Sequence, residues 1–183
     1  MSKLEANQVD PATGTTLTLG TSGDTITIPS GVTIANSGTA TGFGKAIANY
    51  FGVDTTERGS TSTSFSTCSN TASITLTPSS TSSKFALFSS FTIGNNGANI
   101  RSLATIYRDS TNLGSSGGDS CIISSFSTQA NDKEIPASMV YTDTPNTTSS
   151  ITYSLQFKTE NASYQCYIAR RGLISFNIIE YSG

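Results

Sequence analysis

The chain has 183 residues, which corresponds to one ordinary domain or to one domain with a short appendage. Serine (31) and threonine (29) fill 60 positions, whereas charged residues make up only 12 %, about half the usual share. Histidine is absent, which excludes histidine-based catalysis and imidazole metal ligation, and we predict neither a metal site nor a cofactor. Ten basic and twelve acidic residues give a net charge of −2, which offers no basic surface to nucleic acid.

The apolar segments and the cysteines narrow the class of protein further. No segment approaches the roughly 20 consecutive apolar residues of a membrane helix, so no membrane insertion is predicted. Cys68, Cys121 and Cys166 stand far apart without a CxxC pair, and we expect them to be buried thiols.

The first dozen residues are polar, with only isolated apolar side chains and one proline. This composition is typical of an arm that lies against a partner rather than of a packed element. We predict that residues 1–12 anchor the protein. The predicted anchoring residues are Leu4, Val9 and Pro11.

Three short runs then alternate apolar residues with threonine, at 16–19, 25–28 and 32–34, and glycine-containing turns separate them. Each run predicts a short strand. Because two or three apolar side chains bury too little area to form a core alone, we expect these strands to pack against identical chains as a stalk. The alternative is an ordinary hairpin packed on a monomeric domain. The predicted packing residues of the stalk are Leu17, Leu19, Ile26, Ile28, Val32 and Ile34.

Residues 36–42 are small and flexible, and they mark the predicted boundary between the stalk, 1–42, and a globular head, 43–183. The clearest strand pattern in the head is 84–93, where Phe85, Leu87, Phe91 and Ile93 share one face and Phe88 lies on the other. We expect the first face to build the core and the second to be partly covered, as by another subunit. Strands are predicted at 45–53, 61–68, 72–77, 84–93, 100–108, 120–128, 137–142, 151–159, 164–170 and 173–181.

Short strands separated by turns rich in Gly, Asn, Ser and Pro, without an amphipathic helix, are typical of an all-β protein. The predicted architecture of the head is an antiparallel β-sandwich or jelly roll.

Several segments carry a resemblance to a known family. They are TLTPSSTSSK at 75–84, YRDSTNLGS at 107–115, DTPNTTSSITY at 143–153 and the closing segment 169–180. The run at 18–34 is similar to fibre shaft segments. In this order they resemble the tail-fibre-like and other virion structural proteins of marine bacteriophages. The resemblance implies a homotrimer with a β-strand stalk and a TNF-like jelly-roll head.

The resemblance also implies a function in the virion, after synthesis in the cytoplasm of the bacterial host. The arm would dock on the capsid or tail, and the loops of the head at 95–99, 115–119 and 129–134 would contact a glycan or protein of the host surface. An alternative is a capsid decoration or cement protein without a receptor, which the short chain favours. The candidate contact residues are Asn95, Asn96, Asn99, Asp119, Asn131 and Lys133.

An enzyme is the most distant alternative. A glycan depolymerase needs two carboxylates on opposite sides of the cleaved bond. The nearest pairs in sequence are Asp132 with Glu134 and Asp109 with Asp119, and the first pair is interpreted as solvated turn residues. Tryptophan, which would stack on a sugar, is absent. We therefore predict a structural and binding protein without catalytic residues.

Overall fold

The computed structural model describes residues 13–18, 20–27, 29–32, 46–116, 118–127 and 133–181. The chain divides into two units, Met1–Thr41 and Gly42–Gly183.

The described part of the first unit contains two tight turns. The Asp24 N–H donates to the Thr21 carbonyl at 3.0 Å, and the Asp24 carboxylate accepts the Thr21 N–H at 2.6 Å. The hydrogen bonds that the Asp24 carboxylate accepts from the Thr21 N–H and from the Thr21 hydroxyl lower the pKa of Asp24. The Val32 N–H donates to the Pro29 carbonyl at 3.3 Å in the second turn. Gly23 and Gly31 hold the third position of each turn with positive φ, so both glycine-containing turns are confirmed.

The short strands predicted around these turns are not found in the described residues between 13 and 32 of the single chain. Leu17, Ile26 and Val32 are exposed there. A strand needs a hydrogen-bonding neighbour, and the described residues of this unit supply none, so the stalk of strands packed against identical chains stays a prediction. Leu19, Ile28 and Ile34 lie outside the described residues.

The second unit is an all-β sandwich of two antiparallel sheets, as predicted at this level. Hydrophobic side chains alternate with polar ones along its longer strands, so each sheet turns one face to a shared core. The strands are β1 Ala46–Asp54, β2 Arg58–Ser60, β3 Ser66–Thr67, β4 Ser73–Leu76, β5 Lys84–Asn95, β6 Ile100–Arg108, β7 Thr111–Asn112, β8 Ile123–Ser127, β9 Lys133–Asp143, β10 Ile151–Thr159, β11 Cys166–Ile168 and β12 Ile174–Tyr181.

In the first sheet, sheet A, β5 lies between β9 on one side and both β12 and β11 on the other. Strand β12 pairs with the first half of β5 and β11 with its last residues, so β11 and β12 lie end to end. Strands β1 and β2 likewise lie end to end along β12 and β11. Sheet A therefore has four strand positions.

The second sheet, sheet B, has the same plan. Strand β10 pairs with β6 on one side and with β3 and β4 on the other. Strands β7 and β8 complete the sheet along β6. Along the chain, the eight strand positions of the two sheets are β1 with β2, β3 with β4, β5, β6, β7 with β8, β9, β10, and β11 with β12.

The core lies between the two sheets and contains the predicted inner face of β5. Phe85, Leu87, Phe91 and Ile93 are buried, whereas Phe88 is exposed on the opposite face, which confirms the prediction for this strand. The Phe85 ring packs against that of Tyr153 in sheet B, with centroids 5.7 Å apart. Further buried side chains of the core are Ile106, Met139, Leu155, Phe157, Phe176 and Ile178.

The predicted bounds of β6 and β10 agree with the structure, but the strand predicted at 61–68 is reduced to β3. Serine hydroxyls satisfy the backbone just before it: Ser62 Oγ donates to the Ser64 carbonyl at 2.8 Å and accepts the Ser64 N–H at 3.0 Å. These local bonds replace ladder hydrogen bonds, which is why an alternating pattern does not become a strand here.

One end of the sandwich, the base end, is closed by buried and partly buried polar contacts. Arg108 donates from Nη1 to both carboxylate oxygens of Asp143 at 2.8 and 2.7 Å, and the Tyr153 hydroxyl donates to Asp143 at 2.6 Å. Nearby, Ser83 Oγ donates to the fully buried Glu180 at 2.7 Å, as does the Ser79 N–H at 2.6 Å. These contacts join strands of both sheets to the adjoining turns.

Candidate functional site

The predicted contact loop at 95–99 forms the turn between β5 and β6, at the end of the sandwich opposite the base end. Asn96 and Asn99 are exposed there, and Asn99 has a left-handed backbone with φ 59°. Asn95 is fully buried instead. Its amide donates to the Ile100 carbonyl at 3.0 Å and its Oδ1 accepts the Gly97 N–H at 3.1 Å. Asn95 therefore shapes the turn and is not available for contact, which corrects its predicted role.

A loop that was not predicted as a contact site lies beside this turn. It spans residues 160–165, and the Gln165 N–H donates to Asn96 Oδ1 at 2.8 Å. The Arg101 N–H donates to Glu160 at 2.9 Å, and the Arg101 side chain pairs with the exposed Asp119 at 2.6 Å. The run of polar residues between two predicted strands is the sequence feature that could have indicated this loop. We call the surface formed by Asn96, Asn99, Asp119 and residues 160–165 the loop end.

Lys133 is the first residue of β9 and pairs in register with Asn95, so it belongs to a strand at the loop end rather than to a loop. Asn131 and the three residues of the arm, Leu4, Val9 and Pro11, lie outside the described residues.

The outer face of sheet A carries large exposed apolar side chains. In one row across the sheet, Phe51 of β1 lies opposite Asn177, which lies opposite Phe88, which lies opposite Val140 of β9. Phe51 is 73 % exposed and Val140 is 65 % exposed. Apolar side chains also project outward along β1. We call the surface formed by Ile47, Phe51, Val53, Phe88 and Val140 the apolar face.

The outer face of sheet B differs in composition. Lys158, Gln156 and Thr152 alternate with the buried side chains of β10, as expected for a sheet that faces water on one side. The Lys158 ammonium lies 4.5 Å from the centre of the Phe65 ring, which covers part of the apolar surface there. The two sheets therefore present unlike surfaces, one polar and one apolar.

A polar cavity of about 610 Å³ opens where the edges of the two sheets separate. We call it the edge cleft. At its wall Asp54 accepts the Thr56 N–H at 2.8 Å and pairs with Arg58 at 3.3 Å. The hydrogen bond from the Thr56 backbone, with those from side chains, lowers the pKa of Asp54, so its carboxylate is ionised at neutral pH. The remaining lining residues are Glu57, Gly59, Ser60, Ser66, Thr67, Cys68, Ser69, Asn70, Thr71 and Phe157.

Gly52→Ala is expected to lower the free energy of unfolding by about 1–3 kcal/mol. A Cβ atom at position 52 would overlap the backbone carbonyl of Thr71, so the wall of the edge cleft must move. Urea denaturation at one fixed protein concentration measures the change. Asn49→Ala, at an exposed position of the same strand, is the control and is expected to stay within about 0.5 kcal/mol of the wild type. Equal stability of the two variants would contradict the close approach at Gly52.

The three cysteines are buried thiols, as predicted. Burial raises the pKa of the Cys166 thiol to about 12, so it is protonated and unreactive at neutral pH. Within the described residues, no three His, Cys, Asp or Glu side chains are grouped as a metal site would require. The same part of the chain includes no helix that is long and apolar enough to cross a membrane.

No protein-family model and no curated protein matches the sequence. Among solved structures, the chain is similar to one of infectious bursal disease virus, Gt strain, with 14 % identity and a TM-score of 0.40, over 85 % of this chain and 42 % of that one. It is also similar to the VP2 subviral particle of the same virus, with 12 % identity and a TM-score of 0.35, over 75 % and 38 %. The chain thus spans about two fifths of those viral chains. Similarity at this level does not define a shared function.

Proposed function

We propose that the protein is a bacteriophage virion structural protein: a short homotrimeric fibre, anchored by residues 1–12 to capsid or tail, that presents its head for host attachment. It has no catalytic role. The observation that carries the proposal is that the chain enters the head at one end and the exposed loops lie at the other. Strand β1 begins at Ala46, opposite Tyr181 at the base end, whereas Asn96 and Asn99 lie at the other end of β5. The twelve residues of β5 separate the two ends by about 36 Å.

The strand order supports a jelly roll as the fold of this head. With the eight strand positions numbered along the chain, sheet A has the order 1-8-3-6 and sheet B the order 2-7-4-5. Two interleaved Greek keys produce this order, and jelly rolls of this kind occur in viral capsid and lectin domains. A fold does not define a function, so the role in the virion rests on the sequence resemblance as well.

The segments that carry the resemblance meet at the base end. Arg108, Asp143 and Tyr153 belong to two of these segments and form one buried network. Ser83 and Glu180 belong to two others and are hydrogen bonded to each other. The shared residues therefore hold the head together, and they support a shared fold of the head. The loop end lies outside most of these segments, which suits a surface that differs between hosts.

Two measurements test the function. Antibodies against the full chain are expected to label purified virions of the phage that encodes it. Failure to label the virions would contradict the role in the virion. The full chain in excess is expected to reduce phage adsorption to host cells, because three loop ends on one body bind with avidity. A chain that labels virions but does not compete, and whose deletion makes the capsid fragile, would be a cement protein.

A matched pair of variants locates the contact surface. Asn99→Gly removes a side chain at the loop end and keeps the left-handed backbone, since glycine adopts positive φ without strain. Asn146→Gly makes the same change at another left-handed asparagine, between β9 and β10 at the base end. We expect the first variant to compete several-fold less well in adsorption and the second to compete as the wild type does. Equal competition by both would place the contact elsewhere.

A further inference from the structure

The apolar face departs from the pattern of a sheet surface that faces water. Its central row reads Phe51, Asn177, Phe88 and Val140, and Phe51 is the most exposed of the three apolar side chains. Exposed apolar surface of this extent in a soluble domain marks a contact with another molecule. The apolar face is therefore covered in the assembled protein.

The apolar face has both a projecting apolar side chain and a depression without charged residues. Phe51 projects from β1 at one side of the sheet. Toward the other side lies a shallow depression of about 180 Å³, beside the paired Phe88 and Val140 and over the neighbouring row of serines. The remaining lining residues of the depression are Ser89, Ser90, Ser138, Met139, Ser175 and Asn177. A phenyl ring of another molecule can enter this depression without meeting a charge.

The face is neutral, and this favours another copy of the chain as its occupant. The central row and the rows on either side of it, from Val53 to Ser138 and from Asn49 to Thr142, contain no charged side chain. A face without charge selects neither an acidic nor a basic partner, and two copies of it do not repel each other. Another copy of the chain supplies both the projection and the depression.

We infer that the apolar face is the contact between heads: Phe51 of one copy inserts into the depression beside Phe88 and Val140 of the next. A projection and a depression on different parts of one face can match reciprocally between two copies or successively around a ring, and a homotrimer requires the ring. This inference rests on the homotrimer of the proposed function and adds where its heads meet. Three copies complete the ring.

The apolar face supplies part of the area of such a contact. Four strand positions at about 4.8 Å and nine residues of β1 at about 3.4 Å give a flat area of about 590 Å². A stable interface buries about 800 Å² on each partner. Because the side chains project from the sheet, the accessible area is larger than this flat area. The outer edge of β1, which is unpaired within the described residues, adds to it.

Light scattering on the full chain tests the contact. The wild type is expected to have a mass of about 57 kDa, three times the chain mass of 19.1 kDa. Phe51→Asp and Val140→Ser are expected to give monomers at concentrations where the wild type is a trimer, with unchanged circular dichroism. Phe126→Asp, at a 54 % exposed phenylalanine on the outer face of sheet B, is the control and is expected to stay trimeric.

Trimeric masses for both face variants would overturn the inference and move the contact to the stalk residues Leu17, Ile26 and Val32. A monomeric wild type would overturn it too, and would mean that the chain itself covers the face. Neither result alters the labelling of virions, so failure of this inference is distinguishable from failure of the role in the virion. If Phe51→Asp does not fold, Val140→Ser and Phe51→Ala give the answer.

Disulfide trapping tests the insertion directly. Positions 51 and 138 of one chain are three strand spacings apart, more than about 14 Å, which is too far for a disulfide within the chain. The double variant Phe51→Cys with Ser138→Cys is therefore expected to form covalent trimers on oxidation, and each single variant is not. The native thiols are buried and do not interfere. Absence of cross-links in a trimeric double variant would exclude this insertion.

Discussion

Phe85→Ala is expected to lower the free energy of unfolding by about 3–5 kcal/mol, the largest effect of a single core substitution here. Phe85 is fully buried, and its ring packs on that of Tyr153 from the opposite sheet. Its removal leaves a cavity between the sheets that neighbouring strands cannot close, because ladder hydrogen bonds hold β5 on both sides. Urea denaturation at a fixed protein concentration gives the change, since unfolding of an oligomer depends on concentration.

The control for this prediction is the same substitution at an exposed phenylalanine. Phe126→Ala, on the outer face of sheet B, is expected to change the free energy of unfolding by less than about 1 kcal/mol. A loss at Phe85 as small as that at Phe126 would mean that the two sheets do not pack as described.

Asp143→Ala is expected to lower the free energy of unfolding by about 2–4 kcal/mol. The carboxylate accepts hydrogen bonds from Arg108 and Tyr153, and its removal leaves a buried phenol and a half-buried guanidinium without this partner. Burial and the hydrogen bond to Asp143 raise the pKa of Tyr153, so the phenol stays a protonated donor at neutral pH. The loss is therefore expected to be the same at pH 6 and pH 8.

A double-mutant cycle separates the network from general damage. Because Tyr153→Phe removes the orphaned hydroxyl, adding it to Asp143→Ala is expected to cost less than the sum of the two single losses, with a coupling of about 0.5–3 kcal/mol. Tyr107→Phe, on the outer face of β6, is the control outside the network and is expected to be nearly neutral. Strict additivity at Asp143 and Tyr153 would contradict the shared network.

The alternation of side chains explains why the strands of the head could be predicted. In β5, β6 and β10 the alternating pattern is long, and β6 and β10 end where the pattern ends. The predicted inner face of β5 is correct because a period of two assigns every second residue to one side of a strand. The all-β sandwich and the buried thiols follow from the same local information.

The predicted contact residues show what the local sequence pattern does not determine, namely which turn residues are buried and which loops are neighbours. Asn95 is of a residue type that is common in exposed turns. However, β5 continues through it, and its side-chain amide makes hydrogen bonds within the turn. The loop at 160–165 joins the loop end only because β10 and β11 end beside β5 and β6. In the described part of 13–32, alternation did not produce strands, because a ladder needs a second strand that these residues do not have.

The sequence by itself determined the class of this protein: an all-β head without histidine chemistry, with strands whose inner and outer residues follow from their alternation. Only the tertiary structure decided which segments are neighbours. Pairing between distant strands placed Arg108 and Tyr153 on Asp143, and separated the base end from the loop end. It also placed Phe51, Phe88 and Val140 in one row, although they are far apart in the chain. Alternation assigns a side chain to a face, but long-range pairing decides what else shares that face.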